Sequence, residues 1–338
     1  MTDGSSLELV EASTDGSSGG SAAPKVVVVG AAARDIADDD PRGWRLGGGV
    51  SYSALTTARL GLPTGAIVGV DEEASTASEL DLLREAGVDV HLVALEHGPV
   101  FVNIERPEGR LQLCGSPSDP LPVGAVPAAW LAAPGWVLAP VAAELPPEWA
   151  TVPAEDAIVA VGWQGLLREL VAGNPVGHLT PRHDPIVERA DLVGLSRDDV
   201  DRDLPLADLY RLLRRGASLA VTQGDRGGLV AHGARGDGDA ALELRHYPAV
   251  PTHHLVDPTG AGDVFLAALA AARIEPRLVG GRLGQGFDLL LAAAAASLVL
   301  EGPGMLGVPM RDAVRVRMAE ALERRAAARA GAGGRPGH

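Results

Sequence analysis

Six short apolar runs constrain this chain more than any other feature. They are Lys25-Val-Val-Val-Val-Gly30, Gly65-Ala-Ile-Val-Gly69, Trp136-Val-Leu-Ala139, Ala157-Ile-Val-Ala-Val161, Ala190-Asp-Leu-Val193 and Leu219-Ala-Val-Thr222. A continuous apolar run ending near glycine, with no polar alternation, marks a strand buried on both faces of a parallel sheet. Helical spacing occupies the stretches between them, at Ser51 to Leu60, Ser75 to Ala86, Leu206 to Arg215 and Gly262 to Ala272. Strand and helix alternating in this way predict an α/β fold, doubly wound around a mostly parallel sheet. One region breaks the rhythm. Pro99-Val-Phe-Val-Asn-Ile-Glu105, a Pro-Glu-Gly turn and Arg110-Leu-Gln-Leu-Cys114 read as a β-hairpin, which with residues 34–46 would form a small separate sheet.

Bulk properties exclude several classes. A net charge of −15 and the lack of a basic stripe argue against nucleic acid. Cys114 is the single cysteine, so disulfides and cysteine-rich metal sites are out and a reducing cytoplasm is expected. No run reaches the roughly 18 apolar residues of a membrane span. The longest, Leu289 to Leu300, reads as a buried helix. Residues 1–24 are Ser, Gly, Thr and Asp-rich and are expected to be a disordered tail; residues 323–338, Arg, Ala and Gly-rich, are expected to be flexible. His253-His254 lack the partners for zinc, Trp130, Trp136, Trp149 and Trp163 read as core, and Asp38 to Asp40 read as a solvated loop.

Chemistry concentrates in Asp257-Pro-Thr-Gly-Ala-Gly-Asp-Val-Phe265. Gly260, Ala261 and Gly262 carry little side chain and open an apolar helix. The first amides of a helix lack intrahelical partners and sit at its positive end, which makes an anion site. Asp263 places a carboxylate there, suited either to taking a proton or to complementing the helix dipole. The residues predict phosphoryl transfer. No Gly-x-Gly-x-x-Gly follows Gly30 and no Walker-type sequence occurs, so dinucleotide and P-loop units are excluded.

This stretch resembles the second signature of the ribokinase/pfkB family of carbohydrate kinases, and the resemblance extends over about residues 25 to 312. It implies a three-layer α-β-α domain over residues 25–322 with a small β lid at about 34–46 and 98–115. It further implies Asp263 as catalytic base and the amides of Gly260, Ala261 and Gly262 as anion hole. Asp35, five residues after Gly30, matches the family's sugar-binding Asp. Gly47 and Gly48, leading to Arg59-Leu-Gly61, match the Gly-Gly pair of its first signature. Tyr52 stands where many members have Asn, and either stacks on a ring or belongs to the core.

Val221-Thr-Gln-Gly-Asp-Arg-Gly-Gly228 resembles the family's nucleotide motif, implying Thr222, Gly224 and Gly227 beside ATP. Ser196 and Asp199 stand where the family has Asn-x-x-Glu, implying a nucleotide contact and a water-mediated link to Mg²⁺. Asp257 and Thr259 match a monovalent-cation site of the K⁺ type. Gln164 and Arg168 would share one face if a helix began there. They resemble a substrate pair of the myo-inositol-kinase branch, with a surface role for Arg168 as the alternative. The expectation is ATP-dependent phosphorylation of a sugar, cyclitol or related polyol, by a monomer or homodimer. A nucleoside kinase and a non-catalytic metabolite-binding protein are the alternatives.

Overall fold

Valines at alternate positions of the first strand enter two different cores. The computed structural model describes residues 23–106, 109–233 and 242–332. In chain order, β1 (Val26–Ala31) passes through Ala32 into β2 (Ala33–Ile36), then β3 (Trp44–Gly47), α1 (Gly49–Arg59), β4 (Thr64–Val70), α2 (Glu79–Glu85) and β5 (Asp89–Ala94). Next come β6 (Val100–Arg106), β7 (Gly109–Ser116), β8 (Gly135–Leu138), β9 (Ile158–Gly162), β10 (Arg168–Glu169) and β11 (Gly177–His178). After these lie α3 (Pro185–Arg189), β12 (Leu192–Ser196), α4 (Leu206–Tyr210), β13 (Ser218–Thr222), β14 (Gly228–Gly233) and β15 (Leu242–Tyr247). Three helices close the described chain: α5 (Ala261–Ile274), α6 (Phe287–Val299) and α7 (Arg311–Ala332).

The main sheet has nine strands in the order β15-β14-β13-β12-β9-β8-β1-β4-β5. It is parallel from β13 to β5, with β14 and β15 added antiparallel. All six residues of β1 are buried. Val26 and Val28 face a core shared with α1, α5 and α6, while Val27 and Val29 face one built around Trp136, Trp149 and Trp163. Burial on both faces is what the polar-free run required. The tryptophans, Trp130 included, are core as expected.

The small sheet is also present, in the order β3-β2-β6-β7. Its outer strand β7 does not end the pairing. Cys114 N–H donates to Asn174 O, Gly173 N–H to Cys114 O and Val176 N–H to Gln112 O, so residues 173–176 run along its free side. On the opposite edge, Glu79 of α2 accepts the Leu46 N–H of β3 at 3.1 Å. The hairpin turn at 107–108 and most of the expected N-terminal tail lie outside the described residues.

Several local expectations need correction. The helix expected over Leu206 to Arg215 stops at Tyr210, and the chain turns until Gly216 reverses it at φ 84°. Ser75 to Ala86 divides into a 3₁₀ turn, Ala74–Thr76, and α2. Gln164–Leu167 is a single 3₁₀ turn that leads into β10, so residues 164 and 168 do not share an α-helical face. Helix α7 carries on to Ala332, through much of the segment expected to be flexible. Among the described residues no helix is long and apolar enough to cross a membrane.

Candidate active site

Parallel strands deliver their C-terminal ends to one edge of the sheet, where ligands of open α/β folds bind. Gly162, Ser196 and Thr222 stand at that edge on β9, β12 and β13, and Ser196 pairs directly with Thr222. Asp263 is the third residue of α5, whose N-cap is Gly260. Gly260 adopts φ 78°, and a Cβ there would run into the Tyr52 ring, so both its backbone and its neighbour demand glycine. Gly49 lies against Asp263: a Cβ added to it would sit 2.9 Å from Asp263 Oδ1. Gly47 approaches the Asp35 carboxylate in the same manner. The glycine run Gly47 to Gly49 thus forms a thin floor between two acids, and Gly48 makes the bend at φ 89°.

Asp263 is partly buried. Burial pushes its carboxyl up to about 6, Arg168 pulls against that shift, and Asp199 adds to it. A carboxyl so placed holds and releases a proton near neutrality. Arg168 donates to Val141 O at 2.9 Å, and its guanidinium lies 5.1 Å from the centre of the Phe101 ring on lid strand β6. Burial lowers its pKa, opposed by the charges of Asp199, Asp263, Asp35 and Glu144. It is half-buried, with four acids acting on its charge.

Asp35 sits on β2 in the small sheet and accepts from Asn103 Nδ2 at 3.3 Å; Asn103 Oδ1 in turn accepts from Gln112 Nε2 at 2.9 Å. Asp35 lines a cleft of about 1230 Å³ under the lid that Tyr52, Asn103, Asp257 and Thr259 also line. Tyr52 is 2% exposed with its ring against Gly260, a packed tyrosine whose pKa is raised by burial and by Asp257, Asp35 and Asp263. Asp257 accepts the Thr259 N–H at 2.9 Å and the Gly304 N–H at 3.0 Å, which fixes the loop entering α5.

Ser196 and Asp199, expected beside the nucleotide and its Mg²⁺, are joined through the Ser196 amide. Asp199 is 6% exposed; Oδ1 accepts from Gln164 Nε2 and Oδ2 from Ser196 N–H, both at 2.7 Å. Gln164 likewise holds Asp199 instead of facing the cleft under the lid. Gly224 and Gly227 carry φ of 59° and 82° in the turn after Thr222, and Gly227 packs on the backbone of Tyr247 to Ala249.

Glu144 escaped the sequence reading. It is 1% exposed and accepts the amides of Ala31 at 2.8 Å, Val141 at 3.0 Å and Ala142 at 2.8 Å. It ties the end of β1 to the loop that carries Arg168's acceptor. The sequence shows only a lone acid inside the apolar stretch Trp136 to Pro147, with nothing to say what it binds.

Proteins of known structure share the overall fold. Residues 193–309 match the profile described as pfkB family carbohydrate kinase. A pyrophosphate-dependent kinase in the ribokinase family, complexed with a pyrophosphate analog and myo-inositol, superposes with TM-score 0.65 at 19% identity, covering 86% of this chain and 99% of the other. Arabidopsis thaliana ribokinase, complexed with ribose and ATP, gives 0.62 at 20% identity over 88% and 99%. The Methanocaldococcus jannaschii nucleoside kinase gives 0.61 at 16% over 88% and 100%. This is the ribokinase-family fold. A search of curated proteins found no match. The family match spans β12 through α6 and so includes Ser196, Thr222 and Asp263.

Proposed function

We propose that the chain transfers a phosphoryl group to a hydroxyl of a sugar, cyclitol or related polyol. The observation that carries this reading is Asp263, held at the mouth of α5 with its carboxyl raised to about 6, directly against the glycine floor beneath Asp35. Asp263 takes the hydroxyl proton as the oxygen attacks phosphorus. The N-terminal amides of α5 stabilise charge on the group in transfer. Asp35, steadied by Asn103 and Gln112, accepts hydrogen bonds from the acceptor's other hydroxyls. Asp35→Ala is expected to raise KM roughly ten- to a hundredfold with a smaller change in kcat, the usual cost of losing hydrogen bonds to a charged group. Steady-state kinetics on the best acceptor checks this.

ATP is the donor we favour, with Thr222, Gly224, Gly227 and Ser196 beside it. Pyrophosphate is the second reading, supported by its use in the myo-inositol-bound neighbour. Among the described residues no three carboxylate, imidazole or thiol groups converge to hold a metal. That fits Mg²⁺ arriving on the donor phosphates with most of its waters; when bound it would neutralise phosphate charge. Asp257 and Thr259 remain the place for a monovalent cation, tested by replacing K⁺ with choline. A nucleoside acceptor is less favoured, because Tyr52 spends a ring face on Gly260 and Trp44 lies under Arg34 and Arg42.

A panel of sugars, inositols and nucleosides, each with ATP or pyrophosphate and read by ³¹P NMR, tests the proposal. A phosphomonoester product from a sugar or inositol supports it; binding without donor consumption would favour the metabolite-binding alternative. The base also sets a pH limb. Asp263 must be ionised to act, so kcat/KM should rise about tenfold per pH unit below about 6 and level off above it. A flat profile between pH 5 and 7 would remove Asp263 from that role.

A further inference from the structure

The charge on the cleft under the lid bears on which acceptors can enter. Six carboxylates line it: Asp35, Asp38, Asp39, Asp40, Glu79 and Asp257. The cationic lining residues are Arg42 and Arg45. Both are committed to lining acids. Arg42 reaches Glu79 Oε1 at 2.7 Å and Oε2 at 2.8 Å, and Asp40 Oδ1 at 3.1 Å; Arg45 reaches Asp39 Oδ2 at 2.6 Å and stands 3.8 Å from Asp40. Arg42 also has a structural task, since it stacks 4.6 Å over Trp44 and shares Glu79 with the Leu46 amide. An entering anion would have to break these pairs and would still meet an excess of negative charge. A monovalent cation at Asp257 and Thr259 would offset one negative charge and leave the lining acids in excess.

We propose that this cleft selects its acceptor by charge, taking uncharged or ammonium-bearing polyols and rejecting phosphorylated and carboxylated ones. Like charges brought together at a binding surface are costly and suppress wrong partners, and a concave wall of one sign concentrates the field. Asp35 contributes acceptors for hydroxyl or ammonium donors and repels carboxylate oxygens. The inference rests on the proposal that this cleft is the acceptor site.

The test uses the full chain and the four probes glucose, glucosamine, gluconate and glucose 6-phosphate. Calorimetric binding is measured at low and high salt, alongside phosphorylation with ATP and with pyrophosphate. Gluconate and glucose 6-phosphate should bind at least about tenfold more weakly than glucose, and glucosamine at least as well, with the gaps shrinking as salt screens the wall. Asp39→Asn, which releases Arg45, should narrow the gluconate gap while circular dichroism shows a folded chain. Equal binding of all four probes, tighter binding of either anion, or no binding of any probe overturns the inference. Binding in the expected order without phosphate transfer would leave the charge selection standing and reject the kinase reading.

Discussion

Asp263→Asn should leave the fold and acceptor binding intact and cut turnover by at least about a hundredfold. A positioned general base contributes about 10² to 10⁴-fold, and the amide keeps the shape while losing the proton acceptor. Two other buried acids of the region are already engaged. Asp199 is tied to Gln164 and the Ser196 amide, and Glu144 is enclosed by three backbone N–H groups. Single-turnover kinetics and calorimetry on the variant separate chemistry from binding. Turnover within a few-fold of the parent chain would reject the assignment. Loss of binding together with turnover would instead point to a role in holding the acceptor.

The second large effect is on stability. Arg317→Leu should cost about 2–4 kcal/mol, because it removes a buried cation and leaves a partly buried carboxylate without its partner. Arg317 is 4% exposed and bonds both oxygens of Glu301 at 3.0 Å. Glu301 also accepts from Thr252 Oγ1 at 3.0 Å and from His253 N–H at 2.7 Å, so the pair fastens α7 to the loop that leads to Asp257. Burial alone would raise the Glu301 pKa; Arg317, the His253 amide and Thr252 overcome that and hold it down to about 2, from an ordinary 4.5. A depressed carboxylate stabilises the fold above the ordinary value, and that support is lost as pH falls from 4.5 toward 2. Urea melts should therefore show the penalty at neutral pH and a smaller difference from the parent chain in acid. Arg84→Leu, which breaks an exposed pair with Asp81, serves as control and should change stability by under about 1 kcal/mol. A penalty for Arg317→Leu no larger than that control would show the pair to be dispensable.

The alternation of apolar runs and helical spacing made the main sheet readable, because burial on both faces leaves no polar position in a strand such as Val26–Ala31. The hairpin at 100–116 was readable for the opposite reason, a turn signal between two short β-rich runs. What failed was local continuation. Leu206 to Arg215 has helical composition, yet the chain leaves the helix at Tyr210, whose hydroxyl is taken up by Ala217 O and the Gly233 amide. Gln164 and Arg168 looked like helical neighbours; the 3₁₀ turn sends one to Asp199 and the other to Phe101. At the candidate site, Gly260 and Asp263 were legible because close backbone approach and an acid at a helix start leave few residue choices. Asn103 and Glu144 were not, since a relay through Gln112 and a cage of amides from Ala31 to Ala142 depend on contacts distant in sequence.

The small sheet's borders bear on how copies of the chain could meet. Four-stranded sheets with bare borders tend to zip onto one another, since each presents a ladder of unused main-chain groups. Here the chain occupies its own borders: residues 173–176 run beside Gln112 to Cys114, and a glutamate side chain caps Leu46 on the far strand. Along those stretches the main-chain groups are already spoken for, so a second copy would find less of a ladder there than on an uncovered border.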